Sequence, residues 1–453
     1  MFKQARTWSL DARHILFVSA ALIVGTTAAN GLFHEIRFAM GYGYGSFLPG
    51  PNDRYADLVK VGLSFKAVTW QLVGTVEFEN WPGLFRDYLL RNPYGDISSL
   101  AQGTLTHFHH PPLSQLFFTT IGYLIVATGN PVTLLWLCFG LYGVAVLALV
   151  WRMRLSSRPA DAVNLCAAAF LCLASYPALL VFLRGNYTAG YTSILSVIFL
   201  VDCLGRRHVT AWSLLALAIA INIRPTAAVF MLALPLTLGL GKSARYLLWL
   251  CFLVPAIFLA SLGLEHALYP DYTLSSFLRG LDIYKALYIF GSFGDAGNAS
   301  LWALIKNGAS ILEFPMAYYP EELARLFIPC AVLVTLVGTR ILLAPDKSSH
   351  VVAFVLVALY VLLAPVSAEY HLLVFVGPLI IAYINKAALD GYGIVTILIP
   401  SALLLAPKNY VFVNGLSLQT LLNPALLTIA LVALYRTRQL LLPDCSTMSS
   451  TTK

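Results

Sequence analysis

"YTAGYTSILSVIFLVDCLGRRHVTAWSLLALAIAINIRP", residues 187–225, decides how the chain is read. Two apolar runs, 187–204 and 209–223, are separated by the pair Arg206/Arg207, and the second ends at Arg224 before Pro225. A helix needs roughly 18 apolar residues to cross the hydrocarbon core of a bilayer. Short loops that keep lysine and arginine stay in the cytoplasm. The stretch therefore reads as two membrane-spanning helices joined by a cytoplasmic turn.

The composition extends this reading to the whole chain. Hydrophobic residues make up 59% of its 453 positions and charged residues 11%, against about 25% charged in a soluble domain. The mean hydropathy is +0.77. Ten further runs join the first two: 14–33, 132–151, 162–183, 225–240, 246–264, 325–342, 350–365, 371–386, 391–406 and 420–435. The fold class expected is an all-α polytopic membrane protein of about twelve spans.

Basic residues at the N-terminus (Lys3, Arg6, Arg13) and at Arg152/Arg154/Arg158, Arg206/Arg207, Lys242/Arg245, Arg340/Lys347, Lys386 and Arg436/Arg438 share the cytoplasmic side only if the apolar segment 111–128 does not cross. That segment is read as re-entrant, or as half of a broken helix held against protein. Both termini are then inside, and two long loops, 34–110 and 265–324, lie outside. The net charge of +8 is mostly topogenic, so it does not imply a nucleic-acid partner. The first apolar run is long enough to read as an uncleaved helix rather than a signal peptide. The tail 441–453 is polar and is expected to be disordered.

Six of the seven cysteines fall in or beside apolar runs, with no CxxC pattern, so neither an external disulfide framework nor a metal cluster is expected. "GYGYG" at 41–45 lacks the Lys-Ser/Thr of a phosphate-binding loop and reads as a flexible turn. No internal repeat of the kind many transporters carry is evident.

Polar groups near the bilayer are costly unless paired or solvated, and here they fall on one side. Asp53 and Asp57, flanking Arg54, lie in the first outer loop. They share a helix face and read either as a solvated helix start or as a catalytic base. "THFHHPP" (106–112) supplies His107, His109 and His110, which lack metal-site spacing and more naturally line a polar interface or bind an acceptor. Arg184, with Asn186 and Tyr187 in "LRGNY", and Arg224 in "INIRP" either snorkel to headgroups or clamp an anion. "GNAS" brings Asn298, in an Asn-Ala-Ser sequon, and "SAEYH" brings Glu369, Tyr370 and His371 at an outer helix end, as a polar turn or as part of a site.

Taken in order, "DRYADL", "NPYGD" (92–96), "HHPPLSQLFF", "RGN", "IRP", "NASL" and "YHLLVFVGPL" resemble the glycosyltransferases of the GT-C superfamily, in particular the family 87-like enzymes, over about residues 15–385. The resemblance implies a bundle of about twelve to thirteen transmembrane helices. Residues 1–264, with the loop 34–110, form its catalytic module; 265–324 is a second external loop and 325–440 carries the C-terminal helices. It also implies transfer of one hexose or arabinofuranose, with inversion, from a polyprenyl-phosphate sugar to a hydroxyl of a glycolipid, glycan or protein. By the same resemblance the reaction would take place on the outer face of a bacterial inner membrane.

Asp53, with Asp57 in reserve, would be the base, while Arg184, Asn186, Arg224 and His371 would hold the donor phosphate. His109, His110, Tyr187, Asn298, Glu369 and Tyr370 would face sugar or acceptor. Membrane lipids are the other expected partners; no cofactor is implied and no metal indicated. The chain departs from the family in having His110 before Pro111-Pro112, where tyrosine is usual, and Arg224 where lysine is common. A polysaccharide polymerase or ligase and a lipid-precursor flippase or transporter are the alternative readings.

Overall fold

The computed structural model describes residues 9–39, 110–128, 131–156, 162–184, 186–268, 270, 272–290, 298–314, 320–345, 347–386, 389–407, 412–413, 416–417 and 419–439. Among these the chain is almost wholly helical. Two short antiparallel pairings interrupt it, β1 (Ser9–Leu10) with β2 (Leu389–Asp390) and β3 (Phe412–Val413) with β4 (Leu416–Ser417).

The helices are α1 (Ala12–Ala39), α2 (Pro112–Thr128), α3 (Pro131–Ser156), α4 (Ala162–Ala174), α5 (Tyr176–Arg184), α6 (Tyr187–Gly205), α7 (Ala211–Ile223), α8 (Pro225–Leu238) and α9 (Leu240–Leu268). After them come α10 (Leu274–Tyr284), α11 (Leu301–Ile311), α12 (Pro320–Leu342), α13 (Ser349–Leu362), α14 (Glu369–Ile384), α15 (Gly391–Leu405) and α16 (Gln419–Gln439).

Each of the twelve apolar runs coincides with a helical segment. Five carry a stretch long and apolar enough to cross a membrane, in α3, α6, α9, α12 and α16, and α4 with α5 forms a sixth if its 47° bend lies within one span. These are the helices of a multi-pass membrane protein. The other six runs form shorter apolar helices, within α1 and as α7, α8, α13, α14 and α15. A 14-residue helix such as α13 reaches only about 21 Å, less than the ~30 Å hydrocarbon core. The stretch 265–324, read from sequence as a loop, carries α10 and α11.

Local chemistry sets the breaks. Thr210 caps α7 reciprocally with Ser213: its hydroxyl accepts from the Ser213 amide and the Ser213 hydroxyl accepts from the Thr210 amide, which satisfies two orphan donors of the helix start. Arg224 is extended (φ −140°, ψ 104°), as the residue before a proline must be, and Pro225 starts α8 with a 3-10 turn. Gly239 adopts φ +77° between α8 and α9, a conformation that costs glycine nothing. At Gly190 a Cβ would come within 2.9 Å of Val181 and 3.0 Å of Tyr142, so α6 meets α5 and α3 at a separation only glycine allows.

The burial pattern orders the helices into an inner set and a rim. Every residue of α13 from His350 to Leu362 is buried, which fits a helix that is apolar all round. By contrast α9 exposes Leu248, Trp249, Phe252, Leu259 and Leu264, an apolar outer face suited to lipid. Most of α6 is buried against α3, α7 and the start of α14.

The bundle has two distinct ends. At one, here called basal, Arg152 of α3, Asp202 of α6 and Thr210 before α7 meet, Gly205 lies against Ile384 of α14, and β1 pairs with β2. At the other, apical, end Arg224 reaches Val366, and Asn423 and Tyr176 reach Glu369. Chain direction along α16, from Asn423 toward Gln439, carries the last described residues to the basal end, where β1 also lies.

Helix α2 stays at the apical end. His110, which precedes it, accepts a bond from the Tyr272 hydroxyl at 3.0 Å, and Phe117 lies against Tyr191, near the apical start of α6, at 5.5 Å. Tyr191 also bonds the Cys138 carbonyl at 2.9 Å, which puts α3 at the same level a few turns after α2 has ended. From Cys138, α3 descends to Arg152 at the basal end, so its first residues lie about 10 Å on the apical side of Tyr191. Both ends of α2 are thus apical, and the segment does not run from one end of the bundle to the other.

Candidate functional site

The apical end is organised by the connection 363–371, which follows α13 and takes in the first 3-10 residues of α14. Its backbone is irregular, so its polar groups need partners from elsewhere. Arg224 supplies one: Nη2 donates to the Val366 carbonyl at 2.8 Å, and Nε donates to the Thr226 hydroxyl at 2.9 Å. The guanidinium also lies over the Tyr360 ring, 5.2 Å from its centroid, in cation–π contact. No carboxylate lies within ion-pair distance of Arg224 among the described residues.

Asn298 supplies the second tie. Its Oδ1 accepts from the amides of Ser367 (2.8 Å) and Ser300 (3.1 Å), and its Nδ2 donates to the Pro365 carbonyl at 3.3 Å. Asn298 and Ala368 form a β-bridge, and the Ser300 hydroxyl, which caps α11 by accepting from Ala303, donates to the same Pro365 carbonyl. Asn298 is 1% exposed. Its amide is turned inward onto backbone, where a glycan on the sequon would have no room.

Glu369 is the third tie and lies 2% exposed. The Tyr176 hydroxyl donates to Oε2 at 3.0 Å and Asn423 Nδ2 donates to Oε1 at 2.7 Å. A buried carboxylate is tolerated when its oxygens are hydrogen-bonded, and these donors come from α5 and α16. His371, one step further, stands edge-on to Tyr360 and to Tyr370, with centroids 6.3 and 4.7 Å away.

Glu369, Tyr370 and His371 thus belong to this connection, and Arg224 and Asn298, which come from separate motifs of the sequence, are bonded to it. Asn186 caps α6 by accepting from the Ala189 amide at 3.2 Å, and Tyr187 is buried beside Phe182. Their helices, α5 and α6, border the Glu369–Phe375 turn. His110 stands apart, at the start of α2. Its carbonyl holds Tyr272, whose hydroxyl is pushed well above its ordinary range by burial and by the nearby Glu265 carboxylate. Asp53, Asp57 and His109 lie outside the described residues, as do Arg54, His107 and the side chain of Arg184.

The sequence reading passed over Tyr176, Tyr360, Asn423 and Asp202. Tyr176, Tyr360 and Asn423 sit inside apolar runs and carry no local signature of a partner. Asp202 did carry one: a carboxylate in an apolar run is expensive unless paired. It is fully buried, with Arg152 Nη1 on Oδ2 at 2.9 Å, Arg206 Nη1 on Oδ1 at 3.1 Å and the Thr210 hydroxyl on Oδ2 at 3.2 Å.

The arrangement at the apical end can hold an anion. A half-buried guanidinium with its plane fixed by two hydrogen bonds and an aromatic face keeps its charge while losing little further entropy on binding. Comparison of the chain with protein-family models, with curated proteins and with solved structures gave no match.

Proposed function

We propose that the protein is an integral-membrane glycosyltransferase of the GT-C superfamily, family 87-like, with a bundle of about twelve to thirteen transmembrane helices. It transfers one hexose or arabinofuranose from a polyprenyl-phosphate donor to an acceptor hydroxyl of a glycolipid, glycan or protein. The apical end faces outside the cytoplasm, by the distribution of arginine and lysine between the ends. A nucleotide sugar is confined to the cytoplasm, whereas a sugar on a lipid phosphate reaches that side within the membrane.

The observation that carries the reading is Arg224: a positioned guanidinium at the apical end, with no carboxylate in contact among the described residues. In the transfer, the acceptor oxygen attacks the anomeric carbon while the bond from that carbon to the phosphate oxygen breaks. The phosphate leaves as a monoester carrying the electron pair, and negative charge grows on it. Arg224 would stabilise that charge. The acceptor's proton goes to a carboxylate, for which the sequence resemblance points to Asp53 or Asp57. Attack from the face opposite the phosphate inverts the anomeric centre.

The test is a panel of radiolabelled polyprenyl-phosphate sugars presented to the purified protein with native lipid extract. Consumption of at least one donor is expected, with Arg224→Ala raising its KM by about tenfold or more and Arg224→Lys restoring part of the loss. A folded protein that consumes no donor would remove the reading.

A further inference from the structure

Three buried polar atoms beside Arg224 have no hydrogen-bond partner among the described residues: the Tyr360 hydroxyl, the Ser367 hydroxyl and Nδ1 of His371. Their residues are 2%, 0% and 7% exposed. Leaving such a group unmet is costly, and folded proteins satisfy most of them. Ten buried side-chain atoms are unmet by the hydrogen bonds drawn among the described residues, and these three are grouped beside one guanidinium, which points to a ligand there.

Their residues are grouped about the same cation. The Tyr360 ring lies beneath the guanidinium, His371 stands against that ring, and Ser367 follows Val366, whose carbonyl takes Arg224 Nη2. The Nε and Nη2 of Arg224 are committed to Thr226 and Val366, which leaves Nη1 for a ligand.

We propose that Arg224, Tyr360, Ser367 and His371 form one oxyanion pocket that takes a singly charged phosphodiester. Arg224 supplies the charge; the two hydroxyls and the imidazole supply hydrogen bonds to the phosphoryl oxygens. Arg224 brings one positive charge to the connection 363–371 through its bond to Val366. A phosphodiester linking a sugar to a polyprenol carries a single charge and matches it. A diphosphate brings at least one more charge, and burying that charge unpaired is costly. Naming a sugar-bearing lipid as the ligand rests on the glycosyl-transfer reading; binding of the phosphodiester does not.

The experiment is calorimetric titration of the full-length protein in phosphatidylcholine nanodiscs. The probes are citronellyl methyl phosphate, citronellyl diphosphate and inorganic phosphate, with phosphatidylglycerol as a competing headgroup. The diester is expected to bind most tightly, and Tyr360→Phe and Ser367→Ala each to weaken it by about tenfold or more, the worth of a hydrogen bond to a charged group.

Equal affinity of both variants and the parent protein would overturn the pocket. Tighter binding of the diphosphate would overturn its single charge. Displacement of the probe by phosphatidylglycerol, or equal binding of inorganic phosphate, would overturn the assignment to a prenyl phosphodiester. Tyr360→Phe keeps the ring under the guanidinium, so it decides the matter even if Ser367→Ala fails to purify as a uniform particle. Diester binding that responds to the variants, without sugar transfer from any donor, would leave the pocket and remove the transferase reading. Transfer with an unchanged donor KM in both variants would do the reverse.

Discussion

Arg152 and Asp202 lie fifty positions apart and meet at the basal end in an ion pair of 2.9 Å, closed on its other oxygen by Arg206. One carboxylate thus ties α3 to α6, and through Thr210 to the start of α7. Asp202→Ala leaves two guanidiniums facing a void and is expected to cost about 3–5 kcal/mol, as the breaking of a buried pair does. Asp202→Asn keeps the volume and some of the hydrogen bonds, so it should cost less. Thermal unfolding in nanodiscs measures both, and an unaltered midpoint for Asp202→Ala would show that the pair adds nothing to stability.

The Glu369 carboxylate makes a similar connection at the apical end. Tyr176→Phe and Asn423→Leu each withdraw one donor from a buried carboxyl group, a loss of about 1–3 kcal/mol each. Because both donors serve one group, the double variant should depart from the sum of the singles. Strict additivity in unfolding midpoints would mean that the two bonds act independently.

The sequence made the helical, membrane-spanning character legible because lipid imposes one crude rule, an unbroken apolar run, and all twelve such runs became helical. Helix length was less legible. In α8 and α14 the apolar run begins in a 3-10 turn, and hydropathy does not register that geometry. The polar motifs around Arg224, Asn298 and Glu369 stood out because charge and amide groups are rare in this chain. Their partners did not. Tyr176 and Asn423 reach the site from helices remote in sequence, and although Tyr360 stands just before the connection, only the fold brings Arg224 over its ring. Asp202 was visible as a carboxylate in an apolar run, but its pairing with Arg152 requires knowing that α3 and α6 lie side by side.

Asn298 holds the amides of both Ser300 and Ser367, so Asn298→Ala removes the acceptor from two backbone donors at once. The expected result is a loss of stability of about 2–4 kcal/mol, with faster hydrogen exchange confined first to Ala299–Ser300 and 365–368. Exchange that rises uniformly over the chain would instead indicate global destabilisation, with no special role for this clamp.

The placement of α2 yields a test of how the chain is threaded. The Tyr272 bond to His110 and the Tyr191 contacts to Phe117 and Cys138 put the beginning of α2 and the beginning of α3 at one end of the bundle. A helix of 17 residues is about 25 Å long and would come close to crossing if it stood upright, so its length alone does not decide the matter. Cysteines introduced singly at His110 and Val132, in a background without the native cysteines, are therefore expected to react with a membrane-impermeant maleimide from the same side. A cysteine at Arg207, which is exposed at the basal end, should react from the opposite side. Labelling of 110 and 132 from opposite sides would make α2 a true crossing. It would also reverse every helix after it, carrying Arg224 and the connection 363–371 to the face where a lipid-borne donor is not needed.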